Sequence, residues 1–261
     1  MKLGVNIDHI AVLREARKVA DPNPLDALSI VKLAGADQIT IHLREDRRHI
    51  QDIDALNIIY HSSLPVNLEC ALAPEIIDLV CELQPHRVTL VPEKREEVTT
   101  EGGLDIYTYA EQLTTTIRRL HQNQIEVSLF IDPTLDNVEM AKQLNVEWIE
   151  FHTGKYANIY AMLFTNLSNS HHSIKELEEI PRSDLSKLLE EEVKNLRSLS
   201  CTAMELNLKV AAGHGLNYQN VKEIADIETI EELNIGQSIV ARSVFTGLER
   251  AILEMKALLA K

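Results

Sequence analysis

The sequence predicts an α/β fold, a closed (β/α)8 barrel, on three observations. Eight short β-branched runs alternate with amphipathic stretches along 261 residues. Strands that alternate with helices imply right-handed βαβ units and a parallel sheet, and eight units in about 250 residues match a closed barrel. The first run leads into Asp8-His9-Ile10 without a glycine, whereas a doubly wound open sheet usually has a Gly-rich turn there. No linker or internal repeat divides the chain, so one barrel domain over residues 1–261 is expected.

The first run, Leu3–Asp8, puts Asn6 and Asp8 on one face, because strand side chains alternate. The helical pattern Pro24–Ala34 comes next, with Arg14, Arg17 and Lys18 read as loop before it. In Gln38–His42, Thr40 and His42 share a face while Ile39 and Ile41 take the other. In Val66–Cys70, Glu69 shares a face with Asn67, flanked by Leu68 and Cys70, and the helix Ala73–Leu83 follows. Arg87–Val91 precedes Leu104–Asn123, Glu126–Asp132 precedes Thr134–Leu144, and Trp148–Thr153 precedes Glu176–Met204. Leu208–Gly213 with Tyr218–Ile224, then Glu232–Gly236 with Ser243–Leu259, complete the series.

Two connections are long for a barrel. Pro92–Gly103 (PEKREEVTTEGG) follows the fourth strand, is polar and charged, and ends in Gly-Gly. That make-up fits a lid loop or a solvated connector. Tyr156–Ser200 forms an extended segment between the sixth and seventh strands. In it His171 and His172 read as surface residues, and Glu190-Glu191-Glu192 as a solvated helix face.

Apolar residues are 45% of the chain and charged residues 25%, enough to bury a sizeable core. No run approaches the ~20 apolar residues that span a bilayer, and no basic-then-apolar leader precedes Leu3-Gly4-Val5. A soluble cytoplasmic protein is expected. Three cysteines (Cys70, Cys81, Cys201) are not in metal-ligand spacing, which suits a reducing compartment. Lys and Arg number 26 against 40 Asp and Glu, a net charge of −14. That disfavours nucleic acid and anionic membrane as partners. A phosphate site must then be locally basic.

Chemistry in such barrels gathers where strands end and βα loops begin. Asn6, Asp8 and His9 stand there, with His42, Arg44, Glu69, Lys94, Asp132, Glu150, His152, His214 and Asn234. At one strand end an ionisable group reads as a cap or a satisfied polar side chain. So many on one rim read as a site. Arg14, Arg17 and Lys18 form one local cation cluster and His42–His49 another, either salt-bridged surface or phosphate-binding. Gly213-His214-Gly215 and Asn234-Ile235-Gly236 follow the last two strands, where phosphate sites recur in barrels. Apart from Lys94 no lysine stands at a strand end, which disfavours an enzyme Schiff base. No His-x-His pair, Walker loop or dinucleotide fingerprint is present. The residues therefore indicate a metal-independent enzyme acting on a small phosphorylated carbonyl compound through His42, Glu69 and His214. A phosphosugar isomerase or metal-dependent lyase on the same barrel, and a non-catalytic phosphate-ligand sensor, stay open on this reading.

Longer motifs narrow it. Gly4–Ile10 (GVNIDHI), His42–Ile50 (HLREDRRHI), Val91–Gly103, Phe151–Gly154 (FHTG), Ala212–Leu216 (AGHGL) and Leu233–Gly236 (LNIG) closely resemble the pyridoxine 5′-phosphate synthase family, in order along nearly the whole chain. The resemblance implies condensation of 3-amino-2-oxopropyl phosphate with 1-deoxy-D-xylulose 5-phosphate to pyridoxine 5′-phosphate, inorganic phosphate and water, with no cofactor or metal. It implies His42 and Glu69 as proton acceptors, His214 as a proton donor and Glu150 as a transition-state stabiliser. Asn6, Arg17, Gly215 and Gly236 with Gln237 correspond to contacts to the aminoketone phosphate. Asp8, His9, Arg44, His49 and Thr99 correspond to contacts to the deoxyxylulose phosphate. The family often has His where this chain has Gln237, whose backbone N–H still suits phosphate. A homo-octamer built from dimers is the assembly the resemblance implies.

Overall fold

The computed structural model describes residues 1–93 and 102–260. Eight strands close into a TIM barrel in sequence order, each parallel to both neighbours. They are β1 (Lys2–Asn6), β2 (Gln38–His42), β3 (Val66–Cys70), β4 (Arg87–Leu90), β5 (Glu126–Ile131), β6 (Trp148–His152), β7 (Lys209–Gly213) and β8 (Glu232–Ile235). The β1–β8 pairing, Gly4 opposite Asn234, shuts the cylinder. Side chains at alternate positions face outward. Leu3, Val5, Ile39, Ile41, Leu68, Val88, Leu129, Ile149 and Leu233 are fully buried beneath the helices. Each such side chain contributes about 1.5–3 kcal/mol of burial free energy.

The helices are α1 (Asp8–Arg17), α2 (Ala27–Leu33), α3 (Asp52–His61), α4 (Pro74–Leu83), α5 (Ala110–Gln122) and α6 (Leu135–Gln143). After them come α7 (Gly154–Phe164), α8 (Lys175–Glu178), α9 (Arg182–Glu205), α10 (Val221–Ala225), α11 (Gln237–Thr246) and α12 (Leu248–Leu259). No helix among the described residues is long and apolar enough to cross a membrane.

Four expectations need correcting. Residues 8–17 are helix, so Asp8 opens α1 instead of ending β1, and Arg14 and Arg17 are not in a loop. The single helix expected over Glu176–Met204 is divided into α8 and the 24-residue α9, which starts at Arg182 and packs on α6 and α7. Glu192 is buried against Lys155 instead of solvated, because it lies on the face of α9 turned toward α7. The last helical pattern is two helices, divided at Gly247, where φ is +80°.

The barrel lumen departs from the usual layers of Val, Ile and Leu. Its buried inward side chains include Gln38, Thr40, Asn67, Arg87, Thr89, Ser128, Glu150, Glu232 and Asn234. At the N-terminal end Arg87 of β4 pairs with Glu232 of β8, a contact that crosses the lumen. The Trp148 ring lies 4.2 Å from the Arg87 guanidinium carbon. Buried polar groups persist when they find partners. Here Thr89 Oγ1 donates to Asn67 Oδ1 at 2.9 Å, and Gln38 Nε2 to Glu232 Oε1 at 3.0 Å.

Candidate active site

A cavity of about 410 Å³ opens at the C-terminal mouth of the barrel. His42 and Glu69 stand opposite each other in the β2–β3 register, and inward parity aims both into it. Asp8 accepts the backbone N–H of His42 at 2.9 Å, which continues the β1–β2 ladder beyond the end of β1. Asn6 Nδ2 donates to the other Asp8 oxygen at 2.9 Å.

Glu150, central in β6, forms part of the cavity floor. Asn234 Nδ2 donates to its Oε2 at 2.8 Å. Two glycines make the room for this pair. A Cβ on Gly213 would lie 2.4 Å from Glu150 Oε1, and one on Gly4 would lie 2.1 Å from Asn234 Oδ1. Burial pushes the Glu150 carboxyl up to about 7; the Asn234 donor opposes this, Glu232 adds to it and Arg87 opposes it.

His214 follows β7 at φ +80°, a left-handed conformation uncommon for a residue with a side chain. Thr153 Oγ1 holds the turn from beneath, donating to Gly213 O and His214 O at 2.6 and 2.7 Å. The His214 ring meets His152 edge-on, with centroids 4.9 Å apart. His152 Nδ1 lies 3.2 Å from Asp132 Oδ1.

Anion-binding features flank these groups. Gly236 caps α11, whose first residue, Gln237, also lines the cavity. A helix N-terminus presents unpaired N–H groups and a partial positive charge. A Cβ at Gly236 would come within 2.8 Å of Asn6 Cβ, so glycine lets α11 start against β1. Across the mouth, Arg44 and His49 are both 3% exposed yet reach the cavity. Ile50 N–H donates to His49 Nδ1 at 2.8 Å, which places the ring proton on Nε2. Among the described residues, no three of His, Cys, Asp or Glu converge as metal ligands do.

Residues 3–261 match the model of the family described as Pyridoxal phosphate biosynthesis protein PdxJ. The chain belongs to this family. A relative from a Sulfurovum species, named pyridoxine 5′-phosphate synthase, is 70% identical over 99% of this chain and 100% of its own length. One of the same name from Aliarcobacter butzleri is 66% identical over 99% of each. Among solved structures, the tryptophan synthase A-subunit of Pyrococcus furiosus superposes with a TM-score of 0.57 at 12% identity, over 98% of this chain and 97% of that one. At that identity the likeness is one of fold alone.

The residues that the PdxJ resemblance singles out mostly converge. Asn6, Asp8, His9, His42, Arg44, His49, Glu69, Glu150, His214, Gly215, Gly236 and Gln237 all line the one cavity. Arg17 does not: it is exposed in the last turn of α1. Lys94 and Thr99 lie outside the described residues, as does most of the expected lid. Phe130, His152 and Asn234 also line the cavity, although the sequence reading gave them no part in the reaction. Strand parity was the available signal: Asn234 is two residues before Gly236, and His152 two after Glu150.

Proposed function

We propose that the chain is a pyridoxine 5′-phosphate synthase, joining 3-amino-2-oxopropyl phosphate to 1-deoxy-D-xylulose 5-phosphate and closing the pyridine ring without a metal. One observation carries the reading: His42 and Glu69 face each other in register and share one cavity with Glu150 and His214. Four strands thus bring three proton-handling groups and one charge-stabilising carboxyl to one cavity. The names of the full-length relatives support the same reading.

In this reading the amine of one substrate attacks the ketone of the other, and loss of water gives an imine between substrates. No enzyme amine is required, and no lysine lines the cavity among the described residues. His42 and Glu69 then remove protons from carbon and nitrogen while a second water and the phosphate group of the deoxyxylulose half depart. Water adds, and an aldol-type closure with loss of water gives the aromatic ring. His214 supplies the proton that each departing oxygen needs. Glu150 stabilises positive charge that develops on the nitrogen. Acid/base steps of this kind run best when the groups titrate near working pH.

The aminoketone phosphate is assigned to Asn6, Gly215, Gly236 and the Gln237 backbone N–H, and to Arg17, outside the cavity, on the resemblance alone. The deoxyxylulose phosphate is assigned to Asp8, His9, Arg44, His49 and Thr99. A cytoplasmic homo-octamer built from dimers completes the proposal. Exposed Val244 and Phe245 on α11, the latter 89% accessible, offer apolar surface for assembly.

The test is to mix the purified protein with both substrates and follow the ultraviolet absorbance of a new pyridine. Product is expected only with both present, and a chelator should leave it unchanged. His42→Ala and Glu69→Gln are expected to abolish it. Near-normal turnover in either variant, or activity restored only by a divalent ion, would overturn the reading.

A further inference from the structure

We propose that Gln38 and Arg87, buried at the far end of the barrel from the cavity, are positioning residues for Glu150: they fix which way the Asn234 amide points. The proposal rests on the role given to Glu150 above.

The chain of contacts has a direction. A guanidinium can only donate. Arg87 NH2 donates to Gln38 Oε1 at 2.6 Å and also to Glu232 Oε1. The Gln38 oxygen is thereby committed to Arg87, and its Nε2 must face the other way, toward Glu232 Oε1 at 3.0 Å and Asn234 Oδ1 at 3.5 Å. Thr40 Oγ1 donates to the same Asn234 oxygen at 3.1 Å. With donors on its oxygen, Asn234 presents Nδ2 to Glu150 Oε2 at 2.8 Å. Flipping Asn234 would set an amide oxygen against the carboxylate and an NH2 against the Gln38 NH2, leaving only the Thr40 hydroxyl able to turn and accept. Flipping Gln38 would set an NH2 against Arg87. A donor-only anchor at one end thus dictates an acceptor at the other.

All six side chains are buried, so water cannot replace a lost partner cheaply. The close fit is built into the wall, since Gly4 and Gly213 leave no space for a Cβ beside Asn234 and Glu150. An apolar filling would close the lumen as well but would not orient the amide. The consequence is that Oε2 of Glu150 is held by a fixed donor. Burial drives Glu150 toward its neutral form, and this donor opposes it. Glu232 of β8 favours the neutral form and Arg87 of β4 the anion. Asp8, His9, His42, Arg44, His49, Glu69, His152 and His214 are the titratable and charged groups of the cavity above it.

The test compares wild type, Asn234→Ala and the double variant Gln38→Met/Thr40→Val, which leaves Arg87 bonded to Glu232. Protonation of Glu150 is followed by the infrared C=O band of its carboxylic acid, assigned by its loss in Glu150→Gln. With the donor gone or free to rotate, the midpoint is expected to rise by about one pH unit. Turnover should fall about tenfold with KM little changed. Thr40→Val alone, with one donor left on Asn234, should shift the band less. If the folded variants lose melting temperature but keep the wild-type midpoint, the network is mere filling and the proposal is overturned. Should the midpoint move while Glu150→Gln retains full turnover, it is the assigned role of Glu150 that fails.

Discussion

Asp8, in the first turn of α1, accepts the backbone N–H of His42 at 2.9 Å across 34 residues of chain. The β1 ladder ends with Ile7 N–H on Thr40 O, so a side chain takes over where the strand stops. Asp8 is itself held, since its N–H donates to Asn6 Oδ1 at 2.9 Å. Asp8 therefore positions His42 besides any contact it makes with substrate. Asp8→Ala leaves that N–H unmet and is expected to cost about 1–3 kcal/mol. Asp8→Asn, which keeps an acceptor oxygen, should recover most of the stability but not the turnover. Denaturant melts and product absorbance read the two effects separately.

His214 holds a left-handed backbone that glycine would adopt without strain. The residue is kept in place by Thr153 and by ring contacts with His152 and Phe130. Strain at a fixed backbone position of this kind is found where function needs a side chain aimed in one direction. His214→Gly is expected to be more stable than His214→Ala by about 1 kcal/mol, with turnover lost in both. Equal melting of the two variants would show that the turn carries no strain.

The alternation of strands and helices was legible because each strand buries its outward face under a helix, and that face is apolar in every case. The rim was legible because parity and strand ends are properties of spacing. α1 was not, and the reason is chemical. Its buried face carries Asp8, Ala11 and Arg14, while Val12 and Leu13 are exposed, so the helical stripe is hidden. α3 has the same disguise, with Asp54 inside and Ile53 and Leu56 outside. Arg87, Gln38 and Glu232 start their strands, at the opposite end from the rim where barrel chemistry gathers, so strand position does not mark them. Their meaning depends on contacts between β2, β4 and β8, which are distant in sequence.

Arg14 shows what that disguise conceals. It reads as a loop cation available to phosphate, yet it donates to Asp54 Oδ1 and Oδ2 at 2.9 and 2.6 Å and to His49 O at 3.1 Å. The same Asp54 oxygen accepts Gln51 N–H at the start of α3. One buried pair thus ties α1 to α3 and to the loop that carries His49. Removing one partner of a buried pair strands the other charge. Arg14→Ala is expected to cost about 3–5 kcal/mol, and Arg14→Ala/Asp54→Ala less than the sum of the single losses. A double-mutant cycle in guanidinium measures this. An Arg14→Ala variant of unchanged stability would mean that the pair holds nothing together.

Glu150 makes stability depend on pH in an unusual direction. Its carboxyl, ordinarily near 4.5, is raised to about 7 in the folded protein, chiefly by burial. Between those values the native state keeps a proton that the unfolded chain has released. Its contribution is therefore complete below about 4.5 and is lost as pH rises through about 7, the reverse of a salt-bridged carboxylate. Above that range the anion is buried against the pull of solvation, with the Asn234 donor as its local compensation. The wild-type denaturation midpoint should therefore fall more steeply between pH 4.5 and 7 than that of Glu150→Gln, which has no proton to lose. At higher pH the two curves should run parallel. Parallel curves across the whole range would mean that Glu150 titrates at an ordinary value.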